Sequence, residues 1–348
     1  MKKIEIKDLG LIKRANLHFK KVNILIGECY KTEILEIIYN LYTLERKYFE
    51  FKLKVNSGIV PKEDSGDFCK VYKGFVNILQ KDIKLSDSGY IKYDTDSLSV
   101  LITKDDIKIL QEKIEPPDSY FWNTSPFFSL NRDQFTSISN LDSPTELFDV
   151  NNVVIEILNY VISEHTTSGY RDSELVPLMS LRDWGYDDFI RLQQSTGKFC
   201  RYRKTPESIL PLSNGLQYLA PICLVLDYLK DRLVNGIYID LPEHGLFPPI
   251  TQLLIRNLID DYVFRESIAK DKEEGEDYSP LLCITTNSEL VINTILEYKE
   301  LQNNVSIIPI TEIQSEPLLY NVFNTSEENI DSIYNGLDAF YNINHYDS

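Results

Sequence analysis

Three short stretches of this 348-residue chain carry residue types at spacings suited to chemistry. Asp240 closes the apolar run Ile237-Tyr238-Ile239. An acid at the carboxyl end of a buried strand sits where open α/β sheets hold ligands and metal ions. Gly27 ends the β-branched run 22–26, and Lys31-Thr32 opens the helix-patterned segment that follows. The third stretch is Leu212-Ser213-Asn214-Gly215-Leu216-Gln217, a short polar turn before a long apolar helix. That helix leads through Asn235-Gly236 into the strand that ends at Asp240.

The elements that must position these residues follow from periodicity. Residues 2–7 and 15–20 alternate between apolar and polar, and 22–26 is a short buried run, so three strands open the chain. Ile34, Leu35, Ile38, Leu41 and Leu44 share one face of a helix over about 32–49. Two alternating strands are expected within 89–103, around Asp94-Thr95-Asp96, and a short helix over 105–114. Residues 116–130 read as loop or edge, and 146–165 as a helix. Further strands are expected at 280–284 and, as the last of the sheet, 305–309. Helices are expected over 250–269 and 289–301, with Asn287-Ser288 as a cap and a charged loop at 270–278. In the tail, Thr325 and Glu328 form a capping box ahead of Ile330, Ile333, Tyr334, Leu337 and Tyr341 at helical spacing. This face either packs back on the domain or docks on a partner.

Taken in order, these landmarks resemble the ATPase heads of the ABC type, the group that includes SMC, RecF and OLD-like proteins. There a first hairpin leads to a phosphate loop, a signature close to LSSGEQ opens a helix, and a strand ends in Asp-Glu or Glu-Glu followed by Pro-Glu. The resemblance covers about 1–50 and 200–310. It implies an α/β P-loop NTPase fold of ABC-head type, with a mixed central sheet, a flanking antiparallel β-layer and a helical subdomain. The expected organisation is one head over 1–310 with a divergent insertion at about 51–208, then an acidic tail over 311–348. The heptad arm of SMC proteins is absent, and too few residues follow for the nuclease domain of OLD proteins.

The resemblance assigns Gly27, Lys31, Thr32, Ser213, Gly215 and Gln217 to a vestigial nucleotide site and Asp240 to magnesium. It also exposes losses. The family's phosphate loop is G-x-x-x-x-G-K-[ST]; here Gly27-Glu28-Cys29-Tyr30-Lys31-Thr32 is two residues short, about 7 Å of chain. Tyr30 stands in place of the glycine, and a bulky residue in a glycine-type φ costs roughly 1–3 kcal/mol. Aligned without a gap, Glu33 would fall on the lysine position and repel phosphate. A strand–turn–helix with no ligand is the competing reading. Leu241 replaces the expected general base, Asn287 the histidine that senses the γ-phosphate, and Leu216 interrupts the signature. Glu243 is a candidate substitute acid.

The formal net charge of −17 opposes a default role as a nucleic-acid clamp. The charge is uneven, however. Residues 1–54 hold 12 Lys/Arg against 7 Asp/Glu, and 311–348 hold 7 Asp/Glu with no Lys or Arg. Arg201, Arg203 and Lys204, with Tyr202 among them, form the densest basic cluster. They suit either nucleic acid or a strand edge protected by charge. The five cysteines are scattered without a CxxC, and Cys223 and Cys283 lie in apolar runs, which reads as buried thiols. The four histidines suggest no metal cluster, and no run approaches the roughly 20 apolar residues of a membrane span. A reducing cytoplasm is the expected compartment.

Three functions remain open at this level. A catalytically impaired ATPase-like subunit would assemble with itself, with an active ATPase or with an effector, and would need no cofactor. A slow Mg-ATPase would use the short loop. A nucleic-acid-binding subunit would use the basic segments. Bacterial anti-phage defence or DNA repair is the setting that the resemblance suggests.

Overall fold

The computed structural model describes residues 2–27, 30–60, 68–71, 85–112, 127–128, 175–180, 189–193, 198–202, 209–211, 214–229, 236–264, 281–313 and 316–323. Strands β1 (Lys2–Leu9), β2 (Ile12–Phe19) and β3 (Val22–Ile26) form where the alternation places them. Helix α1 (Lys31–Asn56) then runs for 26 residues, longer than the apolar stripe alone suggests. A single turn, α2 (Phe68–Val71), precedes β4 (Leu85–Asp94), β5 (Leu98–Thr103) and β6 (Ile107–Glu112).

The helix expected over 105–114 is therefore a strand. The Thr103 N–H and hydroxyl both reach the Asp106 carbonyl, at 2.9 and 3.2 Å, which turns the chain back on β5. Antiparallel pairing of Val100 with Ile109 and of Ile102 with Ile107 then overrides local helix preference.

The next strands are β7 (Phe127–Phe128), β8 (Leu175–Ser180), β9 (Phe189–Gln193), β10 (Lys198–Tyr202) and β11 (Ile209–Pro211). β8 to β11 make a separate antiparallel sheet in the order β11-β10-β9-β8. Helix α3 (Asn214–Leu229) leads to β12 (Gly236–Asp240), α4 (Pro248–Leu258), β13 (Leu281–Thr285) and α5 (Glu289–Leu296). α4 ends in a π-helical turn, Ile259–Val263, and α5 is followed by a 3₁₀ turn, Lys299–Asn304. β14 (Val305–Ile313) runs beyond the expected 305–309 and is not the last strand, because β15 (Glu316–Phe323) follows it. The helix expected at 146–165, the charged loop at 270–278 and the tail helix lie outside the described residues.

The main sheet has eleven strands in the order β6-β5-β4-β1-β2-β15-β14-β3-β13-β12-β7. β14, β3, β13, β12 and β7 run parallel; β6, β5, β4, β1 and β2 are antiparallel neighbours. The fold is thus α/β with a mixed sheet. Alternate side chains of the parallel strands feed two cores, as a doubly covered sheet requires. Val22, Ile24, Ile237, Ile239, Leu282 and Ile284 pack with α3, α4 and α5. Leu25, Tyr238, Cys283 and Ile308 pack with α1 on the other face, and Ile4, Ile6, Ile91, Tyr93, Val100 and Ile102 of the antiparallel strands join them. Cys223 and Cys283 are both fully buried, and burial drives both thiols well above their usual range. Among the described residues no helix is long and apolar enough to cross a membrane.

Candidate functional site

β3, β13 and β12 are parallel neighbours, so their carboxyl ends bring Gly27, Thr285-Thr286-Asn287 and Asp240 to one rim of the sheet. α1 starts at that rim. Its first residue, Lys31, is buried at 6% exposure, and its second, Thr32, donates its hydroxyl to both oxygens of Asp240 at 3.0 Å. Glu33, the next residue, is exposed. Thr32, the second residue of α1, is thus the one that meets the strand acid, while Glu33 is exposed.

Asp240 is 1% exposed. Besides Thr32, the Thr285 hydroxyl donates to it, while the Leu241 N–H donates to Thr285 Oγ1 at 2.9 Å. The carboxylate is therefore held by two hydroxyls, one from α1 and one from β13. Sequence reading gave Thr285 no role.

Two bulky residues beside this carboxylate adopt left-handed backbone. Tyr30, at the helix start, has φ 62° and ψ 9°, and Leu241 has φ 46°. Each costs on the order of 1 kcal/mol relative to glycine, and such strain concentrates at functional sites. The Tyr30 ring recovers part of that cost by packing against the core under α1. Gly27 has φ 148°, and a Cβ there would lie 2.9 Å from both the Cβ and the carbonyl oxygen of Ile310. A glycine is required at that point by contact as well as by conformation.

Beyond Leu241 the chain turns through 242–245, and Glu243 folds back onto the end of β13. Its Oε1 accepts from the Thr286 hydroxyl at 2.7 Å and the Asn287 N–H at 3.2 Å. Its Oε2 is buried and accepts no hydrogen bond among the described residues. Asn287 in turn accepts the Gly27 N–H on Oδ1 at 3.3 Å. Asn287 thus ties Gly27, at the end of β3, to the end of β13. The cap expected at Asn287-Ser288 is only positional: Ser288 occupies the N-cap of α5 without a side-chain capping bond.

The polar turn expected over 212–217 is shorter than its sequence suggests, because α3 already begins at Asn214. Gly215 and Gln217 therefore lie in its first turn, and Ser213 falls outside the described residues. Gly215 is buried against the turn after β12; a Cβ on it would sit 1.9 Å from the Gly245 carbonyl oxygen. In an ordinary helix, glycine to alanine gains nearly 1 kcal/mol. Here we expect Gly215→Ala to lose about 1–3 kcal/mol, because backbone must move away from backbone. A urea midpoint equal to or above wild type would show that the contact carries no such constraint.

Arg201 lies on β10, which pairs with β9 through Ile190 and with β11 through Leu210. It is on an interior strand, so the strand-edge reading is corrected. Arg203 and Lys204 lie outside the described residues. Among the described residues no group of three His, Cys, Asp or Glu side chains gathers to hold a metal ion.

No family model and no curated protein matches the chain. Among solved structures it is similar to an SMC head bound to the C-winged helix domain of ScpA, at 11% identity and TM-score 0.48, covering 95% of this chain and 98% of that one. It is similar to the SMC head domain from Thermotoga maritima at 12% identity and TM-score 0.42, covering 93% and 98%. A third is the Smc head domain with an extended coiled coil bound to the C-terminal domain of ScpA, derived from Pyrococcus furiosus. There the identity is 11% and the TM-score 0.39, covering 97% and 100%.

Proposed function

We propose that this chain is a catalytically impaired ATPase-like head that acts as an assembly or regulatory subunit. The observation that carries the reading is the rim beside Asp240. The next residue is an apolar side chain, Leu241, whose backbone bends back so that its amide serves Thr285. The nearest following acid, Glu243, is turned onto Thr286 and Asn287. A group that takes the proton of attacking water is worth about 10²–10⁴ in rate, and the position for it holds leucine. Around that gap the architecture persists: Thr32 against Asp240, Gly27 against Ile310 and Gly215 against Gly245. Persistence of form without the acid suits a subunit whose surface, rather than its turnover, is used. Its partner would be a second copy, an active ATPase or an effector, in anti-phage defence or DNA repair.

The donor set fits magnesium in kind. Asp240 and Thr32 are hard oxygen donors, and magnesium commonly takes one or two such protein ligands and completes its shell with phosphate and water. A bound Mg-nucleotide would supply phosphate charge for Lys31 to meet. Calorimetry with Mg-ATP on wild type and Lys31→Ala, beside a phosphate-release assay, tests the reading. Phosphate release at background is expected, and any heat of binding should fall at least tenfold in Lys31→Ala. Sustained metal-dependent turnover would overturn the reading.

A second reading, a slow Mg-ATPase, is favoured by one feature, the buried and unbonded Oε2 of Glu243. If turnover is found, Glu243→Gln separates the cases: a large loss of rate gives this carboxylate the role that Leu241 lacks.

A further inference from the structure

The turn between β12 and α4 touches separated parts of the chain. Its first residue, Leu241, has φ 46°, and its N–H reaches both the carbonyl and the hydroxyl oxygen of Thr285, at 3.1 and 2.9 Å. Glu243 holds the end of β13 through the Thr286 hydroxyl and the Asn287 N–H. Thr286 Oγ1 also accepts the Ser288 N–H at 2.9 Å, just before α5. Gly245, at φ 69°, lays its carbonyl against Gly215 in the first turn of α3. Leu246 then packs into the core beneath α3 and α4.

These contacts form one path. The Gly27 N–H at the end of β3 is held by Asn287 Oδ1, the Asn287 N–H by Glu243 Oε1, and the turn that carries Glu243 abuts Gly215. The turn itself is braced. Its His244 N–H reaches the Leu241 carbonyl at 3.0 Å, and the Leu246 N–H reaches the Glu243 carbonyl at 3.1 Å. A displacement at Gly245 is therefore passed to Glu243 rather than absorbed between them. Leu241 supplies the second state that coupling requires. Left-handed backbone is unfavourable for a leucine and persists only while the surrounding contacts impose it. A turn released at either end relaxes away from this shape.

We propose that the turn over 241–245 is a strained latch that couples the rim at Gly27 to the start of α3. Its two ends are held with different strength. α3 is anchored by Leu219, Ala220, Ile222 and Cys223, all fully buried, whereas Glu243 grips β13 through one carboxylate oxygen. Pressure between Gly215 and Gly245 therefore moves the turn and not the helix. A Cβ on Gly215, 1.9 Å from the Gly245 oxygen, needs relief of about 1 Å to reach the closest spacing that packed atoms tolerate. A shift of that size is enough to carry the 3.2 Å bond from Asn287 to Glu243 out of hydrogen-bond range. In the other direction, loss of the Glu243 carboxylate frees the turn and with it the packing on α3. The latch needs no bound nucleotide.

Amide hydrogen exchange on the full chain tests this. In Gly215→Ala the Gly27 and Asn287 amides should exchange about tenfold faster than in wild type. That factor is taken beyond any change at Ile24 and Ile284, paired neighbours inside β3 and β13 that report opening of the whole sheet. Coupling is reciprocal, so Glu243→Ala should speed the Tyr218 and Leu219 amides, which close the first turns of α3, by a comparable factor. This second variant adds no atoms and stays readable if the crowded Gly215→Ala chain does not fold. In the double variant the Gly27 amide should exchange no faster than in the faster single variant, because both changes open the same latch. Gly27 and Asn287 amides that keep wild-type protection in Gly215→Ala overturn the proposal, as do Tyr218 and Leu219 amides that keep it in Glu243→Ala. Single effects that multiply at Gly27 overturn it in favour of two independent contacts.

Discussion

Glu45→Ala is expected to lower the unfolding free energy by about 3 kcal/mol, the largest loss anticipated from any single side chain outside the rim. Glu45 is 5% exposed on α1, and three groups converge on it. The Tyr93 hydroxyl donates to Oε2 at 2.9 Å and the Thr95 hydroxyl to Oε1 at 2.7 Å. Lys2 Nζ lies 3.6 Å away and also stands 3.9 Å over the Tyr42 ring. Burial, then the charge of Glu45, drives the Tyr93 phenol far above its usual range, so it stays a donor. Hydrogen bonds to a charged group contribute about 1.5–3 kcal/mol each, and truncation strands the Tyr93 hydroxyl in the core, while the Thr95 hydroxyl keeps the Leu98 carbonyl at 3.2 Å. Lys2 is 35% exposed in its side chain, so its ion pair adds little after solvent screening. Glu45→Gln keeps the shape and one carbonyl acceptor and should lose about half as much. Urea unfolding checks both, and equal midpoints for wild type and Glu45→Ala would refute the account. This carboxylate also joins α1 to the turn at 95–98, where the Leu98 and Ser97 amides rest on Thr95 Oγ1. Its loss should therefore loosen the antiparallel layer first.

The second large effect is at the rim. Asp240→Ala removes the acceptor for the Thr32 and Thr285 hydroxyls. Thr285 can still accept the Leu241 amide, but its own proton is left without an oxygen. Orphaned buried groups cost about 1–3 kcal/mol each, so a loss of about 2–4 kcal/mol is expected. Asp240→Asn keeps one carbonyl oxygen and should lose about 1 kcal/mol. Both variants should abolish any rise in melting temperature that Mg-ATP gives wild type, since a metal ion needs the carboxylate charge. A variant that melts with wild type, or still gains stability from Mg-ATP, would show that Asp240 is not the anchor. The two substitutions report different things: alanine reads the hydroxyl network, and asparagine reads the charge.

Much of the rim was legible from local pattern. The runs expected at 22–26, 237–239 and 280–284 are short and largely apolar, and Gly27 and Asp240 close the first two. The position of Asp240 followed from that alone. The left-handed backbone at Tyr30 was expected only from the resemblance, in which a glycine stands there. That Leu241 and Asn287 follow these strands was also visible, since identity at a strand end needs no tertiary knowledge.

What required the fold was pairing across the chain. Thr32 and Asp240 are 208 residues apart, and only the register of β12 and β13 beside the start of α1 makes Thr32 rather than Glu33 the partner. The bent backbone of Leu241 comes from its amide reaching Thr285, and the need for glycine at 215 comes from a carbonyl thirty positions later. The stretch 105–114 fails as a helix for the same reason: its apolar residues satisfy two periods, and β5 selects one. Sequence period determines which residues are buried and which residue types stand at strand ends. The free energy of long-range pairing decides which of them meet, and no local propensity of about 1 kcal/mol can encode that choice.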